Sequence, residues 1–386
     1  MALTNAIGAT ECRNEPECIR HQSVSGTVKN SMRMSWVDSA KGLSIILVVA
    51  MYSAYNTGEY TGEIGFLHYF IGFATPFRMP EFFLISGLFL SQVIARPWAR
   101  YADRRVIHYF YFYALWAFIM IALKIGVFSR APVDMLSNLA LALVEPYGVL
   151  WFIYMLGVFS IVAKLLWQFR VPHWLVVPAA AALQMQHIEV FSYVITQFAT
   201  YFVFFYVGYA AAPAIFRFVE WAEKRVALSV AGLICWAIVN GLLVFSPGYA
   251  VMPTAMKMGL AAFPPLHLLL GIAGALALCV LGALLSKVTF MNWLRWLGEH
   301  SLVVYVAFTL PMSIFRGVAM WTGLLTQTGP LGLAVLIVAT TSPIILYLII
   351  KRAGVGAFLF ERPHWARIAE DRSSVAATAL ATAPSR

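Results

Sequence analysis

The sequence predicts an all-α polytopic membrane protein of about ten transmembrane helices, with both termini cytoplasmic. Three observations carry this. Of 386 residues, 61% are hydrophobic and only 11% charged, with a mean hydropathy of +0.79. A soluble domain of this length carries about 25% charged residues, and no single core could hide so much apolar side chain. Apolar runs of spanning length recur along the chain, and basic residues gather in every second connection.

Residues 1–35 are polar and mixed in charge, with no apolar signal-peptide core. They read as a disordered cytoplasmic tail, and the first span is expected to act as an uncleaved anchor. The transmembrane domain then covers 36–353. Residues 354–386 form a second, mostly disordered tail ending in the low-complexity SSVAATALATAPSR. The first span is 37–56. The following FLHYFIGFATPFRMPEFFLISGLFLSQVI is too long for one straight span and is broken at Pro76 and Pro80. It reads as a re-entrant or interfacial piece and then a span over 80–95. Further spans fall at 106–128, 148–168, 174–191, 194–215, 226–246, 265–286, 300–321 and 331–352.

Loop charges test that series. Arg96, Arg100, Arg104 and Arg105 follow the second span, Arg170 the fourth, and Arg217, Lys224 and Arg225 the sixth. Lys287 and Arg295 follow the eighth, and Lys351, Arg352, Arg362, Arg367, Arg372 and Arg386 the tenth. The alternate loops hold only Arg130 and Lys257. By the positive-inside rule the even-numbered loops and both termini face the cytoplasm. The same distribution explains the net charge of +10 without a nucleic-acid partner. Cys12, Cys18, Cys235 and Cys279 lack the paired spacing of a metal site and read as free thiols. No internal repeat is visible, which weighs against an inverted-repeat transporter.

Five stretches could carry chemistry. In Trp36–Ser53, Asp38 and Lys41 sit in the first turn. Tyr52 lies eleven residues beyond Lys41, close to three full turns, so the two share a helix face ~16 Å apart. Ser44 lies near the same line. The bland alternative is a Lys that snorkels to the interface and a Tyr that packs. Next, Arg78 and Glu81 flank Met79-Pro80 and precede Ser86-Gly87. They could pair across one turn of a broken helix lining a cavity, because two idle charges in hydrocarbon are costly. Third, Arg105 and His108 stand one turn apart and could grip a phosphate or pyrophosphate, or simply belong to the cytoplasmic basic cluster. Fourth, Glu145-Pro-Tyr-Gly148-Val-Leu-Trp151-Phe152 opens the fourth span from outside. Its Trp and Tyr also suit an ordinary interfacial belt. Fifth, Leu297-Gly298-Glu299-His300-Ser301 leads to Tyr305, with His300 reading as a surface histidine. His68, ten residues before Arg78, is a further candidate on the face away from the cytoplasm. No Gly-rich phosphate loop, metal-ligand pair or Ser-His-Asp order is present.

Taken together these stretches resemble the acyltransferase 3 family of membrane O-acyltransferases, and most nearly its fucose 4-O-acetylase-like inner-membrane subgroup. Asp38-Ser-Ala-Lys41-Gly42 is similar to the family's D-x-x-K/R-G. Phe77-Arg78-Met79-Pro80-Glu81-Phe82-Phe83 with Ser86-Gly87 is similar to its H/R-M-P-x-F-F-x-x-S-G. Gly148-Val-Leu-Trp151-Phe152 resembles L-W-F-L, and Leu297-Gly298…Ser301…Tyr305 resembles L-G-x-x-S-x-x-I-Y. Phe360-Glu361-Arg362-Pro363 is similar to the closing F-x-R-P. The likeness runs from about residue 35 to 365, in order.

The resemblance implies about ten spans and an acyl-CoA donor on the cytoplasmic side. An acetyl or succinyl group then passes to a hydroxyl of an envelope glycan, sugar or lipid-linked carrier. It implies Tyr52, Arg78, Glu81 and His68 as catalytic candidates and Lys41, Arg105 and His108 as holders of the acyl-CoA. Asp38, Ser86, Trp151 and Tyr305 would meet the substrate. Neither metal nor nucleic acid is called for, the lipid bilayer is the surrounding partner, and no feature selects an oligomeric state. Four positions differ from the family's fullest pattern. Tyr52 stands where the family's first-span His acts as general base, Arg78 stands at the second His of the H-M-P form, the R-x-x-R motif reads Arg105-Val-Ile-His108, and Phe308 takes the His place of I-Y-L-x-H. His titrates near the working pH and Tyr at ~10, so Tyr52 suits hydrogen-bonding a hydroxyl better than deprotonating one. A relative that binds or exports lipid or glycan without transfer is the alternative, and an unrelated transporter built on Arg78 and Glu81 is a third.

Overall fold

The computed structural model describes the backbone of residues 16–128, 132–186, 188, 192–323 and 325–367, and their side chains except at 16–34, 127, 128 and 364. Cys12, Arg130 and the tail residues 1–15 and 368–386 lie outside the described residues.

Helix α1 (Pro16–Thr61) organises the molecule. Its spanning part, Ser35–Thr61, has 27 residues, a length of ~40 Å at 1.5 Å per residue. Trp36, Val37, Ala40, Val48, Val49, Ala50 and Ala54 along it are almost wholly buried. A helix so apolar yet so enclosed needs neighbours on several sides. It packs on α2 (Phe66–Ala74), α3 (Arg78–Leu88), α11 (Pro264–Leu285), α12 (Asn292–Glu299), α13 (Ser301–Ala307) and α15 (Thr328–Ala353). Between these in sequence come α4 (Trp98–Gly126), α5 (Pro132–Leu141), α6 (Gly148–Gln168), α7 (His173–Met185), α8 (Tyr193–Ala210), α9 (Ala212–Lys224), α10 (Val226–Val244) and α14 (Thr309–Thr322).

Two of the crossings that are tighter than side chains allow use glycines from the motifs. Gly42 of α1 faces the Leu294 carbonyl of α12, while Gly298 at the end of α12 faces the Asp38 carbonyl of α1. Gly87 of α3 faces the Phe205 carbonyl of α8, and Gly208 of α8 faces the Leu84 carbonyl of α3. A Cβ at any of the four would run into backbone. Hydrocarbon supplies no hydrophobic drive between helices, so close backbone approach is what holds such pairs.

Among the described residues six helices are long and apolar enough to cross a bilayer, or eight if two bent pairs each count as one span. The pairs are α8 with α9, bent by 75°, and α13 with α14, bent by 55°. The remaining expected spans, 80–95 and 174–191, are occupied by α3 and α7. These have 11 and 13 residues, ~16 and ~20 Å against a hydrocarbon core of ~30 Å. The expected break at Pro76 is present, since α2 ends at Ala74. The expected break at Pro80 is not: Pro80 sits in the first turn of α3, where its missing N–H has no intrahelical partner to lose. On α10, Ile234, Ile238 and Leu242 form one exposed row, as suits a surface whose solvent is lipid. At the end of the bundle near Thr61, a hairpin of β1 (Ala250–Val251) and β2 (Met256–Lys257) lies against α2.

Candidate active site

The middle of α1 and three other segments, α3, α6 and α13, each bring one motif side chain to the same place. A cavity of about 210 Å³ is lined by Val48, Met51 and Tyr52 of α1, Arg78 and Met79 of α3, and Trp151 of α6. Tyr193, Gln197 and Tyr201 of α8 and Tyr305 of α13 complete it. Four of the predicted site residues, Tyr52, Arg78, Trp151 and Tyr305, therefore meet.

Local structure explains how. Gly148 takes a positive φ of 53°, a conformation that glycine adopts without strain, and turns the chain into α6 so that Trp151 heads the helix. The Tyr305 hydroxyl donates to the Val149 carbonyl and accepts from the Phe152 N–H at 3.3 Å, fixing α13 to that helix start. Phe83, one face of the F-F motif, packs within ring-contact distance of both Trp151 (6.0 Å) and Tyr201 (5.2 Å). Phe308 lies against Tyr52 with ring centroids 5.3 Å apart. Two of the positions that depart from the family's histidines are thus neighbours. Tyr193 is 41% exposed and stands at the rim.

Arg78 and Glu81 do not form the expected pair. Arg78 opens α3 and lines the cavity, with Tyr52, Tyr55 and Tyr201 around its charge; its Nε and Nη1 make no hydrogen bond. Glu81, fully buried one turn on, instead accepts from the Ser44 hydroxyl of α1. Arg78 lies at the cavity between the α1 and α8 tyrosines, while Glu81 meets α1 at Ser44.

A second cluster forms at the other end of α1. Lys41 is ion-paired with Asp38 at 3.3 Å and lies 5.5 Å over the Phe89 ring. Arg105 donates to the Phe89 carbonyl at 3.1 Å and to the Tyr109 hydroxyl at 3.2 Å. His108, beside the Tyr109 and Phe112 rings, has Arg362, Arg105 and Asp103 as charged neighbours. Arg362 of the closing motif is ion-paired with Asp103 at 2.8 Å, both nearly buried. The three predicted acyl-CoA ligands are thus close together and apart from the cavity.

His68 and Ser86 stand elsewhere. His68 is 1% exposed; its Nδ1 accepts from the Gly65 N–H at 3.1 Å, so its Nε2 carries the proton and donates to the Pro253 carbonyl at 3.0 Å. Both nitrogens are occupied in fixing α2 to the hairpin. Ser86 returns its hydroxyl to the Phe82 carbonyl at 2.8 Å. Sequence reasoning passed over Tyr193, Gln197 and Tyr201. Their spacing of four puts them on one face of α8, but a mostly aromatic stripe at that spacing reads as ordinary core. Among the described residues no group of three His, Cys, Asp or Glu could hold a metal.

Residues 34–349 match the family model for the acyltransferase domain, so this chain belongs to the acyltransferase 3 family of membrane acyltransferases. Over 92 residues it is 35% identical to the Inner membrane protein YcfT of Escherichia coli (strain K12). That match covers 21% of this chain and 25% of YcfT, so the chain spans about a quarter of the curated relative it matches. No solved structure matches. With its apolar spanning helices, it is a multi-pass inner-membrane protein.

Proposed function

We propose that this protein moves an acyl group, acetyl or succinyl, from acyl-CoA at the cytoplasmic face to a hydroxyl of an envelope glycan, sugar or lipid-linked carrier. The observation that carries the reading is the meeting of Tyr52, Arg78, Trp151 and Tyr305, from four motifs far apart in sequence, around one cavity. Lys41, Arg105 and His108 would hold the phosphates of the donor, with Arg105 kept in place by Phe89 and Tyr109. Arg78 would stabilise the oxyanion that forms when the hydroxyl attacks the thioester carbonyl. In that step the new C–O bond forms and the C–S bond breaks. The hydroxyl proton passes through the Tyr52 O–H to the departing sulfur, so Tyr52 orients and relays and no free base is needed. Ten spans with both termini cytoplasmic belong to this reading. They require α3 and α7 to act as short spans, and cysteines placed near residues 63 and 353 should then label from opposite sides.

The test is purified protein incubated with radiolabelled acetyl-CoA and a membrane extract. Label moving to lipid or glycan with wild type, and not with Arg78→Ala, is the expected result. No transfer by folded protein that still binds the nucleotide would overturn the transferase reading. One observation favours a second reading: the contact of Tyr52 with Phe308 leaves no imidazole at the cavity, which suits a relative that binds lipid or glycan without transfer.

A further inference from the structure

Among the described residues no carboxylate is ion-paired with Arg78. Its Nε and Nη1 are sealed from the surface without a hydrogen bond, and a guanidinium cannot escape by losing its proton. The carboxylate one turn away, Glu81, is turned to Ser44. Among the described residues no acidic one lines the cavity; besides Arg78, the polar groups on its wall are tyrosine hydroxyls, Gln197 and the Trp151 indole N–H, and the rest is Val48, Met51 and Met79. A cation with two of its three nitrogens sealed from solvent in such a wall is unfavourable unless something anionic meets it.

We infer that the cavity binds a carboxylate in the ground state, clamped by Arg78 and the hydroxyls of Tyr52 and Tyr201, so that the substrate carries an acidic group. One cation in a mainly apolar wall matches one negative charge, and the planar guanidinium matches a planar carboxylate. A phosphate monoester would bring a second charge with no partner. This rests on reading the cavity as the transfer site and narrows what enters it. A plain acetyl group would leave Arg78 unpaired until the oxyanion forms, whereas a carboxylate pairs with one edge of its five-donor fork on binding and leaves the remaining N–H groups for the oxyanion. The acid belongs either to a dicarboxylic acyl chain on the donor or to an acidic sugar on the acceptor.

The experiment is titration calorimetry of the full protein in lipid nanodiscs with two probe pairs that differ by one charge. Monomethyl succinate is compared with dimethyl succinate, and methyl glucuronoside with methyl glucoside. At least one acid should bind ten-fold or more tightly than its neutral partner, and Arg78→Gln should erase the preference. The monoester binding assigns the acid to the donor; the uronoside binding assigns it to the acceptor. Arg78→Met should raise the melting temperature of the ligand-free protein while removing the preference, a combination that a merely structural arginine would not give. Equal binding of acid and neutral probes, no binding by wild type, or a preference that survives Arg78→Gln each overturn the inference. Binding needs no turnover, so the two readings fail separately. Acetyl transfer without charge preference sinks this one alone, and charge-selective binding without transfer sinks the transferase alone.

Discussion

Tyr52 and Phe308 lie in contact at the positions where the family pattern has histidine, and the consequence is a cavity whose hydrogen-bonding groups are mainly phenols. Placing an imidazole there supplies a base that titrates near neutrality, an effect of ~10²–10⁴ in rate where a base is used. Tyr52→His is therefore expected to raise acyl transfer at least ten-fold in the labelled-donor assay; loss of all transfer would mean that an imidazole cannot replace the phenol's relay. Tyr305 acts differently. Its hydroxyl serves two backbone groups of the α6 start, so Tyr305→Phe leaves both short of a partner and should lower stability by ~1–3 kcal/mol, read as a lower melting temperature in detergent. At this scale Asp38, Lys41, Tyr52, Arg78 and Glu81 were legible because polar groups stand out in an apolar run. Their partners were not, since Arg78 and Glu81 satisfy the spacing rule for a pair and the register of α3 separates them.

Between elements, the decisive contacts are the reciprocal glycine crossings of α1 with α12 and of α3 with α8. Gly298→Ala and Gly87→Ala each drive a methyl into a carbonyl of the facing helix. Each should destabilise by ~1–3 kcal/mol, the range for overpacking. Gly232→Ala, in the open on α10 with nothing within 4 Å of the new Cβ, should leave stability unchanged or raise it by ~0.5–1 kcal/mol. Thermal melts of the three variants check the contrast, and equal losses at Gly232 and Gly298 would show that helix propensity, not crossing distance, is at work. The sequence announced Gly42, Gly87 and Gly298 as motif members without saying what they approach, and gave no sign of Gly208. The short helices α3 and α7 were also hidden, because hydropathy counts apolar residues and cannot see where a turn ends a helix.

For the molecule as a whole, the segment after α15 is part of the fold. Tyr111 and Trp116 of α4 donate to the carbonyls of Phe358 and Leu359, each at 3.0 Å, Phe360 is buried beside Trp116, and Arg362 pairs with Asp103. Arg362→Ala removes the ion pair that the closing motif makes with the nearly buried Asp103, a loss of ~1.5–3 kcal/mol as for a hydrogen bond to a charged group. It should open the 354–367 segment to limited proteolysis, and the double change Asp103→Asn with Arg362→Met should restore much of the protection. By itself the sequence determined that this protein lies in a bilayer, is built of helices, and carries the acyltransferase 3 motifs in order, because hydropathy and motif spacing are properties of the chain alone. Only the tertiary structure decided that four motifs share one cavity, that the acyl-CoA candidates cluster apart from it, that His68 ties α2 to the hairpin, and that Arg78 faces away from Glu81. Those outcomes depend on helix register and crossing distance, which are set by contacts between residues hundreds of positions apart.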